Sequence, residues 1–85
     1  MYFVYLLRCK DNSLYCGQTN DIKKRIEEHT ISKTKSAKYT KGRRPIKLVY
    51  WEKYKTLSQA LKREYKIKQL TKKKKEILIL HNKNF

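Results

Sequence analysis

The sequence predicts an α+β domain: a small, largely antiparallel three-stranded sheet in the order β-β-α-β-α-α, with helices packed on both faces. Three observations predict it. Residues 2–9 (YFVYLLRC) are apolar or aromatic at both alternating sets of positions, as a strand covered on two sides requires. Lys10, Asp11, Asn12 and Ser13 form a turn cluster, and residues 14–18 (LYCGQ) then return as the second arm of a hairpin. A third extended run, IKLVYWEKY at 46–54, stands between segments whose apolar residues recur at helical spacing.

The helices follow from their caps. Thr19, Asn20 and Asp21 are capping types and open a helix from about 21 to 31. Residues 32–44 (SKTKSAKYTKGRR) make a basic loop closed by Pro45. Thr56, with Gln59 three residues on, forms a capping box that starts a second helix over about 57–70. A short last helix is expected between Thr71 and Leu80, although Ile77 to Leu80 fits an extended segment as well. The 85 residues give one domain, 1–85. A chain this short buries roughly 60% of its unfolded surface, so its stability is modest.

Charge narrows the function. The chain carries 23 basic and 7 acidic residues, a net charge of +16. That much self-repulsion points to a polyanionic partner, and nucleic acid is the commonest one. A ribosome-associated role competes with it. A membrane surface is disfavoured, because no amphipathic basic helix carries aromatic anchors. The apolar run from Tyr2 to Leu7 is too short to span a bilayer and lacks the flanks of a leader peptide. Cys9 and Cys16 show neither a disulfide framework nor zinc-site spacing and read as reduced thiols. A cytoplasmic location is therefore expected, with no obligate protein partner in evidence.

Two helical wheels hold residues that do not suit their surroundings. On the first, Ile22 and Ile26 mark the inward stripe, and Arg25 and His29 fall on it, while Lys23, Lys24, Glu27 and Glu28 point away. Either residue alone is compatible with a structural role, a snorkelling arginine or a hydrogen-bonded core histidine. Together, one turn apart in so basic a chain, they look like two donors aimed at a phosphate. On the second wheel, Leu57, Ala60 and Leu61 define the stripe, and Glu64 lies within it, with Lys62, Arg63 and Lys66 outside. A carboxylate there needs a cation: Arg25 in an ion pair, or a bound metal such as Mg²⁺ or Mn²⁺. Tyr5 and Tyr15 sit on the two hairpin arms. Gly17 follows in a place where a strand interior rarely takes glycine, unless it serves as a strand-end turn.

These residues, in this order, resemble the GIY-YIG nuclease family. The first half-motif stands as Phe3-Val4-Tyr5 and the second as Tyr15-Cys16-Gly17, about ten residues apart. Arg25, His29 and Glu64 match the family's arginine, its histidine-or-tyrosine and its metal-binding glutamate. The segment LKREYKIKQLTKKKKE is similar to the small stand-alone bacterial branch. The resemblance implies a metal-dependent endonuclease that hydrolyses phosphodiesters, with DNA ahead of RNA as substrate. Tyr5 and Tyr15 would flank the scissile phosphate, one of them activating water. His29 would orient that proton, Arg25 would stabilise the phosphorane, and Glu64 would hold one divalent cation, Mg²⁺ or Mn²⁺. A phenol at its ordinary pKa of about 10 is a poor base, so a neighbouring cation would have to lower it. Lys38, Lys41, Arg43 and Arg44 would grip flanking phosphates, with Tyr39 stacking on a base. The rival class is a basic nucleic-acid-binding module that kept the fold without the chemistry. One departure stands out: family members often carry a later asparagine that supports the site, whereas here only Asn82 and Asn84 follow, near the end. That implies weaker support for Glu64.

Overall fold

The computed structural model describes residues 1–30 and 42–81. Strands β1 (Tyr2–Arg8) and β2 (Leu14–Thr19) form the hairpin, followed by α1 (Ile22–Thr30), β3 (Lys47–Tyr54), α2 (Leu57–Lys68) and α3 (Lys72–Leu80). The sheet order is β2-β1-β3 and both pairings are antiparallel, so the expected α+β arrangement of β-β-α-β-α-α is the one observed.

The hairpin turn is built as its residues require. Asn12 takes the left-handed conformation, φ 68°, which asparagine tolerates better than most residues. Its N–H donates to the Cys9 carbonyl, and the Cys9 N–H donates to Ser13, both at 2.9 Å. Between Leu6 and Leu7 the register against β3 shifts from Tyr50 to Leu48, which leaves Val49 as the extra residue of a bulge. Val49 and Tyr50 consequently both reach the core.

The central strand β1 is covered on both faces. Val4 and Leu6 join Cys16, Tyr50, Ala60 and Ile67 in the main core, with Leu78 and Ile79 of α3 packed against it. Tyr5 points to the opposite face and meets His29 of α1. Each helix starts on a side-chain cap. Asp21 Oδ1 accepts from the Lys24 N–H at 3.1 Å, and Thr56 and Thr71 accept from Gln59 and Lys74 at 3.2 Å each. The segment 77–80 is helical, not extended. Helix α3 is fastened to β1 by Arg8, whose guanidinium grips Glu76 at 2.7 and 2.5 Å. That pair, with Lys72, holds the Glu76 carboxyl down at about 2.

Two expectations about α2 need correction. Its inward stripe is Ala60, Arg63, Glu64 and Ile67, whereas Leu57 and Leu61 are 42% and 44% exposed. Arg63 is turned in because Glu52 on β3 needs it. The guanidinium donates to both Glu52 oxygens, at 2.8 and 3.0 Å, and the hydroxyls of Tyr50 and Tyr54 donate to the same carboxylate. The helix also ends at Lys68, short of the expected 70.

Candidate active site

The register of the hairpin sets the site. Tyr5 pairs with Gly17 and Leu7 with Tyr15 across the β1–β2 ladder. A Cβ on Gly17 would lie 2.5 Å from the Tyr5 hydroxyl oxygen and 3.1 Å from Cε2 of Tyr15. Gly17 has no positive φ, so close approach of two phenols, not a turn, is what demands glycine here.

Helix α1 brings His29 onto the same spot. Its imidazole is fully buried, and its Nε2 shares a 3.1 Å hydrogen bond with the Tyr5 hydroxyl. The ring lies 5.3 Å from that of Tyr15, and the two tyrosine rings are 6.4 Å apart. Burial, then the charges of Arg25 and Arg44 against an opposing Glu28, bring His29 down to about 4. The imidazole is therefore neutral at physiological pH. It is enclosed and bonded to the Tyr5 hydroxyl, one helical turn from Arg25.

Burial likewise decides the phenols. Tyr5 is 1% exposed, and burial, with Tyr15 beside it, pushes its pKa well above the ordinary phenol value. The hydrogen bond and charge of Arg25 pull the other way and lose. The expected lowering of a phenol by a neighbouring cation is not found at Tyr5. Tyr15 is only half-buried. Arg25 reaches Tyr5 from α1 and ion-pairs with Glu28 at 3.1 Å, which turns Glu28 inward from the outward place expected of it.

Glu64 lies half-buried on α2, near enough to Cys16 of β2 for its charge to raise that thiol after burial has done most of the work, to about 12. Lys68 pairs with its carboxylate at 3.3 Å, so the ion pair with Arg25 considered from the sequence is not formed. Among the described residues no three His, Cys, Asp or Glu side chains gather as a metal cage. One carboxylate already holding a Lys68 ammonium suits a hard, largely hydrated cation such as Mg²⁺ or Mn²⁺, and suits zinc poorly.

Of the expected phosphate-gripping residues, Arg43 and Arg44 are described. Arg44 Nε donates to the His29 carbonyl at 2.8 Å, and Arg43 Nε to Asp11 at 3.1 Å. Lys38, Tyr39 and Lys41 lie outside the described residues. The sequence reading missed Lys68 as the partner of Glu64. Its i,i+4 spacing from the glutamate on a helix was the available signal. It also missed Glu52, which alternates with Tyr50 and Tyr54 on one strand face.

Fold and site together define a small α+β domain of the GIY-YIG type, with the two tyrosines on paired strands, arginine and histidine on the following helix and the glutamate on the next. The family model described as the GIY-YIG catalytic domain matches residues 1–76, and the chain belongs to that family, within the GIY-YIG nuclease superfamily. It is 47% identical over 83 residues to the UPF0213 protein YazA of Bacillus subtilis, covering 98% of this chain and 82% of that one. A UPF0213 protein of Staphylococcus aureus strain Mu3 is 53% identical over 78 residues, covering 92% and 93%. The solution NMR structure of the UPF0213 protein BH0048 from Bacillus halodurans superposes with a TM-score of 0.61 at 41% identity, over 99% of this chain and 89% of that one. No described helix is long and apolar enough to cross a membrane.

Proposed function

We propose that the protein is a divalent-metal-dependent endonuclease that hydrolyses phosphodiester bonds in nucleic acid, DNA ahead of RNA. The observation that carries this reading is the packing of two phenols, a neutral imidazole and a guanidinium into one contiguous group round Gly17. Apolar residues would fill the same space without desolvating a charge, so folding alone does not call for such a group. The net charge of +16 supplies attraction for the polyanion.

Exposure supports a division of roles between the tyrosines. Tyr15, half-buried, is the phenol that meets the attacking water, its oxygen accepting a hydrogen bond from it. Tyr5 is a positioning residue: sealed beneath and bonded to His29, it fixes the floor on which Tyr15 stands. Arg25 keeps 25% of its side chain exposed and stabilises the charge that grows on the phosphorane oxygens. The water oxygen bonds to phosphorus, the bridging P–O bond breaks, and the proton the water gives up ends on the departing oxygen, while the Tyr15 oxygen holds the water in line. Glu64 would hold Mg²⁺ or Mn²⁺, which when bound supplies Lewis-acid stabilisation of the leaving oxygen. Arg44 sits at the end of α1 and Arg43 beside the β1–β2 turn, where they hold flanking phosphates. The reaction belongs in the cytoplasm, where Cys9 and Cys16 stay reduced.

The test is a gel assay on plasmid, single-stranded DNA and RNA, in EDTA, Mg²⁺ or Mn²⁺, with Glu64→Gln alongside. Cutting by the wild type with metal only, and none by a folded Glu64→Gln that still binds DNA, is expected. A wild type that binds but cuts nothing with either cation is a binding module, and the enzymatic reading fails.

A further inference from the structure

A groove of about 440 Å³ lies between the β1–β2 turn and the first turn of α3, lined by Asp11, Asn12, Ser13, Leu14, Lys72 and Lys75. We propose that it is a subsite for one nucleotide of the bound strand, with Lys75 and Lys72 on the phosphate and the Asn12 carboxamide on the base or sugar. This rests on the nucleic-acid reading above and adds a place where the strand is held away from the tyrosine cluster.

Size and charge both suit a nucleotide. The volume is within the range of roughly 300–1,000 Å³ for small-ligand clefts. Lys75 is half-buried, and among the described residues no carboxylate pairs with it. Lys72 shares Glu76 with Arg8. The one acid in the lining is already answered: Asp11 accepts from the Ser13 N–H and hydroxyl at 3.1 and 2.5 Å and from Arg43 at 3.1 Å. The groove thus presents ammonium groups without an unbalanced carboxylate to repel a phosphate.

The walls are held before any ligand arrives. The Asn12 backbone is locked in its left-handed turn, and its Oδ1 accepts from Arg8 Nη1 at 2.8 Å. That bond commits the carboxamide oxygen and leaves the NH₂ to donate into the groove. The same Arg8 guanidinium grips Glu76 of α3, so one side chain fastens the turn to the helix. A site fixed in this way loses little freedom on binding.

The experiment is fluorescence anisotropy with a short labelled single-stranded oligodeoxynucleotide in EDTA, titrated against salt. Lys75→Ala should weaken binding roughly fivefold at about 0.1 M salt and reduce the salt slope by about 0.7. Lys73→Ala, which removes the same charge from an exposed place on the same turn outside the groove, should change binding less than twofold. Asn12→Gly keeps the positive-φ turn and should weaken binding with the salt slope unchanged. Equal effects of Lys73→Ala and Lys75→Ala overturn the subsite, because diffuse charge then accounts for everything. A wild type whose binding ignores salt is a different result, and sinks the nucleic-acid reading itself.

Discussion

The Tyr5 hydroxyl lies over Gly17, its oxygen 2.5 Å from where a Cβ would stand. Neither partner can yield cheaply, since Tyr5 is 1% exposed and bonded to buried His29. Gly17→Ala should therefore cost about 1–3 kcal/mol of overpacking. In a domain of this size each kcal/mol lowers the melting temperature by about 4–8 °C. The phenol would be pushed from His29, so nuclease activity should fall even at temperatures where the variant is folded. A variant that melts and cuts like the wild type would mean the two strands sit further apart than described.

Tyr5 and Tyr15 should respond differently to loss of the hydroxyl. Tyr5→Phe removes the hydroxyl bonded to the buried His29 Nε2, which costs about 1–3 kcal/mol. Tyr15→Phe alters a half-buried residue and should leave the melt within about 0.5 kcal/mol of wild type while cleavage falls by at least about 10²-fold. The check is a thermal melt and a plasmid-nicking rate on the same preparations. Full activity in Tyr15→Phe would move the role of water-orienting phenol to Tyr5.

Much of this arrangement was legible in the sequence, for physical reasons that can be named. The apolar run of β1, the Lys10–Ser13 turn and the Thr56 cap are local signals, and each predicts its element within a residue or two. Arg25 and His29 were legible because charged or polar groups on an inward stripe are costly without partners. What the sequence hid is pairing at long range. Arg63 looks like one more surface lysine-type residue until Glu52, eleven residues earlier, is seen to need it. Burial depth was hidden too: nothing local distinguishes sealed Tyr5 from half-open Tyr15, and the proposed division of their roles rests on that difference.

His29 gives a pH dependence of known sign. Its folded value of about 4 lies below the ordinary imidazole value of 6.5, so the native state resists protonation while the unfolded chain accepts it. Stability should be full above about pH 6.5 and decline as the pH falls toward 4. Glu76, held down at about 2, loses its contribution lower, as pH falls from 4.5 through 2. Urea melts between pH 7.5 and 4 should show the first decline in the wild type and lose most of it in His29→Asn. A wild-type stability flat across pH 7 to 4.5 would mean the imidazole is open to solvent.

The Glu52–Arg63 pair makes the last prediction, and it concerns the fold alone. Glu52 keeps 16% of its side chain exposed and takes four donors, two from Arg63 and one each from Tyr50 and Tyr54. Burial opposes its charge, but the guanidinium and the two hydroxyls outweigh that and hold the carboxyl below its ordinary value. Arg63→Met removes the cation and leaves a carboxylate that the phenols alone must satisfy. Breaking a buried pair from one side costs about 3–5 kcal/mol, and the lower figure applies because Arg63 is 34% exposed. The loss should shrink as pH falls, since protonating Glu52 then relieves the unpaired charge. Adding Glu52→Gln to Arg63→Met should restore most of the stability, and the double-mutant cycle gives the coupling directly. Because the change leaves Tyr5, Tyr15, Arg25 and Glu64 in place, the single variant should still cut DNA at temperatures where it stays folded. If Arg63→Met melts with the wild type at pH 7, the ion pair contributes nothing and Glu52 is solvated. If it is stable but inactive, the network belongs to the active site after all.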